Sequence, residues 1–279
     1  MNVIVLGADG MLGTDLMAAC RAAGTAVQGL DLPDVDICDY DSIAAQVPVC
    51  DCLINCAAYT DVDGAESHAD QAFAVNAEGP ANIARWCHRK DIKLIHISTD
   101  YVFDGRKGRS YTEWNQPNPI SVYGASKLAG EKAVRAEGCA YFIVRTQSLF
   151  GVHGHNFVKA VMGRLARGKN LRVVNDQVSC PTYTMHLAEA LLRLLPLERD
   201  GIVHLSARGS CSWYDFAVAI VKRVQPDAVV EPIPSTQMER PAERPACSVL
   251  DNWRYRMWTA HRMPTWQEGL EAYLKEEGN

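Results

Sequence analysis

Residues 2–13, NVIVLGADGMLG, set a short apolar run against three glycines spaced three apart, Gly7, Gly10 and Gly13. Beyond them Leu12, Leu16, Met17 and Cys20 recur at helical intervals. An aliphatic run that stops at a glycine reads as a buried strand, and apolar positions three and four apart read as one face of a helix. Glycines between the two permit a tight turn and the close approach of a pyrophosphate, whose charge then faces the unpaired amides of the helix N-terminus. A glycine triplet alone is weak evidence, but its place between strand and helix gives it weight. Gly7, Gly10, Met11, Leu12 and Gly13 are therefore candidates for holding a dinucleotide.

The strand and helix alternation continues. Apolar strands read at TAVQGLDL (25–32), CDCLINCAA (50–58), IKLIHIS (92–98) and CAYFIVR (139–145), with helical stretches at about 42–47, 71–90 and 121–137 between them. Such alternation predicts an α/β fold, a Rossmann-type doubly wound parallel sheet covered on both faces, over residues 1–150. From Gly151 the pattern is mixed, with helices expected at 156–167, 183–195, 213–224 and 264–276 and strands at LRVV and IVHLSA. Residues 151–279 thus read as a smaller mixed α/β substrate-binding subdomain with segments returning to the sheet. The proline-rich PIPSTQMERPAERPACS reads as an irregular surface segment.

A formal net charge of −5 without a basic stripe argues against nucleic acid and against an anionic membrane surface as partners. The opening residues show no basic leader before an apolar run, and no apolar stretch reaches about 18 residues, so a cytoplasmic protein is expected. The ten cysteines form no pair of CxxC motifs and read as reduced thiols; no metal site is expected. His153 and His155 read as a polar turn, and Trp253, Trp258 and Trp266 as packing residues.

Asp31 ends the second strand, where a carboxylate can accept from a ribose 2′-hydroxyl and repel a 2′-phosphate. No Arg or Lys lies between Gly24 and Val49, so the residues lean to NADH. Asp36 and Ile37 are placed to meet the adenine. The fourth strand ends in Ser98-Thr99-Asp100-Tyr101, setting a hydroxyl at the carboxyl end of a parallel strand. In SVYGASKLAG, Tyr123 and Lys127 are four apart and share a helix face. Such a trio suits carbonyl reduction, with Tyr123 giving its proton to the developing alkoxide and Thr99 hydrogen-bonding the same oxygen. A free phenol has a pKa of about 10. The Lys127 charge favours its ionised form, and the same ammonium can hold the nicotinamide ribose.

The blocks GADGMLG, NCAAYTDVDGAE, VNAEGPANIA, STDYVFDG, SVYGASKLAGEKAV, NDQVSCPT and RPACSVLDN span most of the chain. With them the sequence resembles the extended short-chain dehydrogenase/reductase superfamily and, within it, the dTDP-4-dehydrorhamnose reductase family. The resemblance implies NADPH- or NADH-dependent reduction of the 4-keto group of a dTDP-4-keto-6-deoxyhexose, in nucleotide-sugar and cell-surface polysaccharide synthesis. It makes Tyr123 the proton donor, Lys127 its helper and Thr99 the hydroxyl at the transition state. It places Ala58, Tyr59 and Thr60 beside the nicotinamide half of the cofactor and Asn76 beneath the active site. Thr99 and Asp100 would touch the sugar and Arg244 would face its diphosphate; a homodimer is also within the implication.

Two departures stand out. Ser148 occupies the position of the family's tryptophan, so that Phe150 or Trp114 would have to supply the aromatic wall, or the sugar differs. Met185 falls where some members carry a magnesium-binding acid. Other readings are another nucleotide-sugar 4-ketoreductase or epimerase, and a dehydratase, which the absence of glutamate after Thr99-Asp100 disfavours. A non-catalytic NADP-binding subunit resembling the regulatory subunit of methionine adenosyltransferase is opposed by the intact Thr99, Tyr123 and Lys127.

Overall fold

Strand β1, Asn2–Leu6, sends Val3 and Val5 into one apolar cluster and Ile4 and Leu6 into another, all four fully buried. Successive side chains of a strand point to opposite faces, so only a sheet covered on both sides can hide such a run. The computed structural model, which describes residues 1–168 and 170–278, supplies that sheet. Strands β2 (Ala26–Leu30), β3 (Cys52–Asn55), β4 (Lys93–Thr99) and β5 (Tyr141–Thr146) pair in parallel with β1 and one another. A sixth strand, Gly201–His204, pairs in parallel with β5 and closes that side. The spatial order is Gly201–His204, β5, β4, β3, β1, β2.

The first helix, Met11–Ala22, and the helix Thr184–Leu192 cover one face through Leu16, Leu187 and Leu191. The helices Gly79–Lys90 and Val122–Glu137 cover the other through Ile83, Trp86 and Val134. Each such large apolar side chain contributes about 1.5–3 kcal/mol on burial. A third cluster joins Phe150, Phe216, Trp266 and Tyr273 among the helices Phe157–Ala166, Trp213–Val224 and Trp266–Glu277. The last of these starts at a capping box between Thr265 and Glu268.

Several boundaries differ from the pattern reading. The helix expected over 71–90 is three pieces: Ala69–Phe73, a π-helical turn at Ala74–Glu78, and Gly79–Lys90. The wide turn carries Asn76, and a Cβ on Gly130 would stand 2.1 Å from the Asn76 carbonyl oxygen, so the segment yields to close packing against the neighbouring helix. The proline-rich segment opens in a short strand, Val230–Ile233, paired with Leu171–Val174. Pro232 is tolerated there because each strand of a two-stranded sheet is an edge. A helix at Trp253–Thr259 had no clear periodic signal. Trp253 is exposed on it and meets the exposed Trp114 edge to face, against the expectation of a packing residue. All ten cysteines are free. Among the described residues no helix is long and apolar enough to cross a membrane.

Candidate active site

The strand order reverses between β1 and β3, and ligands of open α/β sheets bind at the carboxyl ends beside such a reversal. Here that place holds the glycine loop. Gly7 adopts φ +74°, and a Cβ on it would lie 2.5 Å from the Ala57 nitrogen, so the loops after β1 and β3 press together. A Cβ on Gly13 would lie 2.1 Å from the Gly7 carbonyl oxygen. Gly10 caps the first helix without a side-chain bond, and no acid stands in the first turn. The amides of Met11, Leu12 and Gly13, in the first turn, have no acceptor within the helix, a donor set that fits a pyrophosphate.

Beside this loop lies a cleft of about 380 Å³ lined by Asp9, Thr14, Arg21, Asp31 and Asp34. Asp31 accepts from the Asp9 amide at 3.0 Å and from the Leu32 amide at 2.8 Å. The reading that no cation is near Asp31 needs correction: Arg21, from the last turn of the first helix, lines the same cleft. Helix side chains lean toward the N-terminus, the direction in which the loop lies. Asp36 accepts from the Cys38 amide at 2.9 Å, and Ile37 is buried against Gly79.

Tyr123, Lys127 and Glu131 form one stripe of the helix Val122–Glu137, whose start is capped by Ser121 accepting from the Gly124 amide. A Cβ on Gly124 would stand 2.2 Å from the Tyr101 carbonyl oxygen, so the helix start is set hard against the end of β4. Burial pushes the Tyr123 phenol up, and the Thr99 hydroxyl opposes that shift. Thr99 Oγ1 donates to Asp100 Oδ1 at 3.1 Å and accepts from the Tyr101 amide at 3.2 Å. The Tyr101 ring meets Tyr123 edge to face at 5.6 Å.

Lys127 Nζ donates to the Ile97 carbonyl at 2.7 Å. Burial pushes its pKa down to about 8, with the Glu131 carboxylate opposing. Glu131 in turn accepts from Ser98 Oγ at 2.6 Å and from Arg145 at 2.8 and 2.6 Å, all three side chains being buried. Asn76 ties Tyr59 to the same helix: its Oδ1 accepts from the Tyr59 amide at 2.9 Å, and its Nδ2 donates to Tyr59 O and Ser126 Oγ, each at 3.0 Å. Pattern reading singled out Tyr123 and Lys127 but missed Glu131, although it continues their four-residue spacing.

Comparison with known proteins gives the arrangement a lineage. The sequence model of the family described as RmlD substrate binding domain matches residues 1–278. The chain belongs to that family. A dTDP-4-dehydrorhamnose reductase of Mycobacterium tuberculosis is 40% identical over 286 residues, covering 100% of this chain and 94% of its own. A dTDP-4-keto-6-deoxy-D-glucose reductase of Streptomyces niveus is 37% identical over 262 residues, covering 90% and 89%. Among solved structures, a dTDP-4-dehydrorhamnose reductase of Bacillus anthracis in complex with NADP superposes with a TM-score of 0.93 at 37% identity, covering 99% of this chain and 100% of the other.

In this RmlD family chain the residues expected on the sugar side are distributed as follows. Arg244 is held by Asp63, its Nη1 and Nη2 donating to the two carboxylate oxygens at 2.8 and 2.7 Å. That pairing holds the Asp63 carboxyl below its usual range. Ser148 has φ +49° and bonds Ser179 through the two hydroxyls at 2.9 Å. Of the two aromatics suggested for the missing tryptophan, Phe150 is buried among Tyr183, Phe216 and Tyr273, and Trp114 is 58% exposed beside Trp253. His153 lies 3.6 Å from the buried Asp15, a partner the turn reading had not supplied. Among the described residues no group of three His, Cys, Asp or Glu side chains is placed to hold a metal ion.

Asp100 is buried at the centre of the cluster, and burial pushes its pKa up to about 6, against hydrogen bonds from Ser248 and Thr99. A carboxyl that binds its proton more tightly when folded weakens the fold above the folded pKa and not below the unfolded one. Asp100→Asn is thus expected to stabilise the protein above pH 6, by at most about 3 kcal/mol. Below about pH 4 the gain should vanish. Denaturant titrations at pH 4 and pH 8 check this, and a variant less stable at pH 8 would contradict it.

Proposed function

We propose that this chain reduces the 4-keto group of a dTDP-4-keto-6-deoxyhexose with a nicotinamide cofactor, in nucleotide-sugar synthesis. The observation that carries the reading is the joining of Thr99, Tyr123 and Lys127 in one cluster next to a loop suited to a pyrophosphate. The full-length likeness to the mycobacterial reductase supports it. The cofactor, when bound, supplies a hydride to the carbonyl carbon. Tyr123 donates its proton to the carbonyl oxygen, and Thr99 stabilises the charge developing there. Lys127 steadies the end of β4 through Ile97 and offers its remaining protons to the nicotinamide ribose. Ala58, Tyr59 and Thr60 border the nicotinamide half, and Asp36 and Ile37 the adenine.

The sugar end of the substrate falls to Asp100, Ser148 and Arg244, with residues 151–279 as the subdomain that recognises it. Ser148 leaves room where relatives carry an indole, and Arg244 meets the diphosphate once Asp63 yields it. Purified protein should oxidise NADH or NADPH on addition of dTDP-4-dehydrorhamnose. Failure with both cofactors on that sugar, and on a panel of dTDP, UDP and GDP 4-keto sugars, would defeat the proposal.

The cleft holds three carboxylates against one guanidinium, which favours ribose hydroxyls over a 2′-phosphate. Arg21 moderates that preference and gives the cleft one donor for a phosphate. Asp31→Ser is expected to raise the specificity constant for NADPH relative to that for NADH about tenfold, since a like charge leaves the ribose site. Steady-state kinetics with the two cofactors read the ratio. A ratio that does not move would place the discriminating acid elsewhere.

A further inference from the structure

The hydroxyl of Thr99 has a single proton, and that proton lies on the bond to Asp100 Oδ1 at 3.1 Å. Its oxygen accepts from the Tyr101 amide at 3.2 Å, which leaves one lone pair. The same hydroxyl faces the Tyr123 phenol. A developing alkoxide needs donors, so a Thr99 proton held by a carboxylate serves Asp100 instead of the substrate. Protonation of Asp100 reverses the bond. The carboxylic acid then donates to the remaining lone pair of Thr99, and the Thr99 proton is released toward the oxygen that Tyr123 protonates. Every capacity of the hydroxyl is used in that arrangement, with two bonds accepted and one given.

The surroundings of Asp100 favour the acid. Its side chain is 2% exposed and is faced by the hydroxyls of Ser248 and Thr99 and by the titratable groups of Tyr101, Tyr123 and Cys180. None of these is a cation, and the guanidinium groups of Arg244 and Arg240 act on Tyr101. Burial accordingly raises the carboxyl to about 6. A nucleotide sugar that displaces water and brings its own diphosphate charge disfavours the carboxylate further. We propose that Asp100 takes part in the reaction as a neutral carboxylic acid, a positioning residue that donates to Thr99, aims the Thr99 proton at the substrate carbonyl oxygen, and withdraws it on ionising. The Asp100 proton is not consumed, since hydride comes from the cofactor and the alkoxide proton from Tyr123. The inference rests on the reading of the chain as a 4-keto sugar reductase and deepens it by naming the protonation state on which Thr99 depends.

The test follows the single-turnover rate of cofactor oxidation by saturating dTDP-4-dehydrorhamnose between about pH 5 and pH 8, in wild type and in Asp100→Asn. The amide keeps the size of the carboxyl and a donor for Thr99 but never ionises. Groups common to both proteins, Tyr123 and Lys127 among them, cancel in the ratio of variant to wild type. That ratio is expected to rise about ten- to a hundredfold across the range, because wild type loses one donor to the oxyanion as Asp100 ionises. In a Thr99→Val background, or Thr99→Ala should valine not fold, the same Asp100 replacement leaves the ratio level, because the hydroxyl through which it acts is gone.

A ratio that does not change with pH overturns the inference. So does a rise that persists without the Thr99 hydroxyl, which would make Asp100 act on the sugar directly. A wild type that oxidises neither NADH nor NADPH with any 4-keto sugar overturns the reductase reading, and this inference with it.

Discussion

Replacing Tyr123 by phenylalanine is expected to lower turnover about a hundred- to ten-thousandfold, the usual worth of a positioned general acid. The substitution removes one hydroxyl and keeps the ring. The edge-to-face contact with Tyr101 survives, and so do the Ser121 cap and the Lys127 bond to Ile97. Melting temperature and dinucleotide affinity should therefore stay near those of wild type. Single-turnover kinetics beside a thermal melt separate the two properties. A variant with full turnover would show that another group gives the proton, and one that melts early would show that the phenol is structural.

Glu131→Ala is expected to cost about 3–5 kcal/mol of stability. The Arg145 guanidinium, 5.0 Å from the centre of the Phe103 ring, would lose both bonds to carboxylate and keep its charge in the core. Ser98 would lose its acceptor as well. The damage should extend to the chemistry, because Glu131 is the larger of the influences that oppose the downward shift of Lys127. A double replacement, Glu131→Met with Arg145→Met, withdraws both charges and should recover most of the stability, since well-packed apolar pairs commonly match buried ion pairs. Equilibrium unfolding in urea checks both variants. A single variant within about 1 kcal/mol of wild type would mean that water reaches the pair and solvates it.

The sheet was legible in the sequence because its evidence is local. Val3 to Leu6 are apolar at every position, as a strand with two covered faces requires, and Leu12 and Leu16 keep helical spacing. The glycine loop and the Tyr123–Lys127 interval were legible for the same reason. What escaped depends on partners distant in the chain. Asn76 sits in a widened turn because Gly130, far along the sequence, lets another helix close on it. Arg21 precedes the stretch in which a cation for Asp31 was sought, and only the direction of a helical side chain brings it to the cleft. Glu131 reads as an ordinary helix acid until Ser98 and Arg145 are seen side by side across β4 and β5.

The strand Gly201–His204 bears on how the chain can be made and divided. It comes from the second half yet completes the sheet of the first, pairing with β5 along its whole length. During synthesis β5 emerges well before that partner, so for an interval it presents a bare row of amides and carbonyls, flanked by the apolar Phe142 and Val144. Exposed edges of that kind recruit other chains. A fragment ending near residue 150 would carry the complete glycine loop, Tyr123 and Lys127, yet would be left with this open margin as a permanent hazard. The catalytic residues are encoded early in the chain, but the edge of the sheet beside them is covered by four residues translated later.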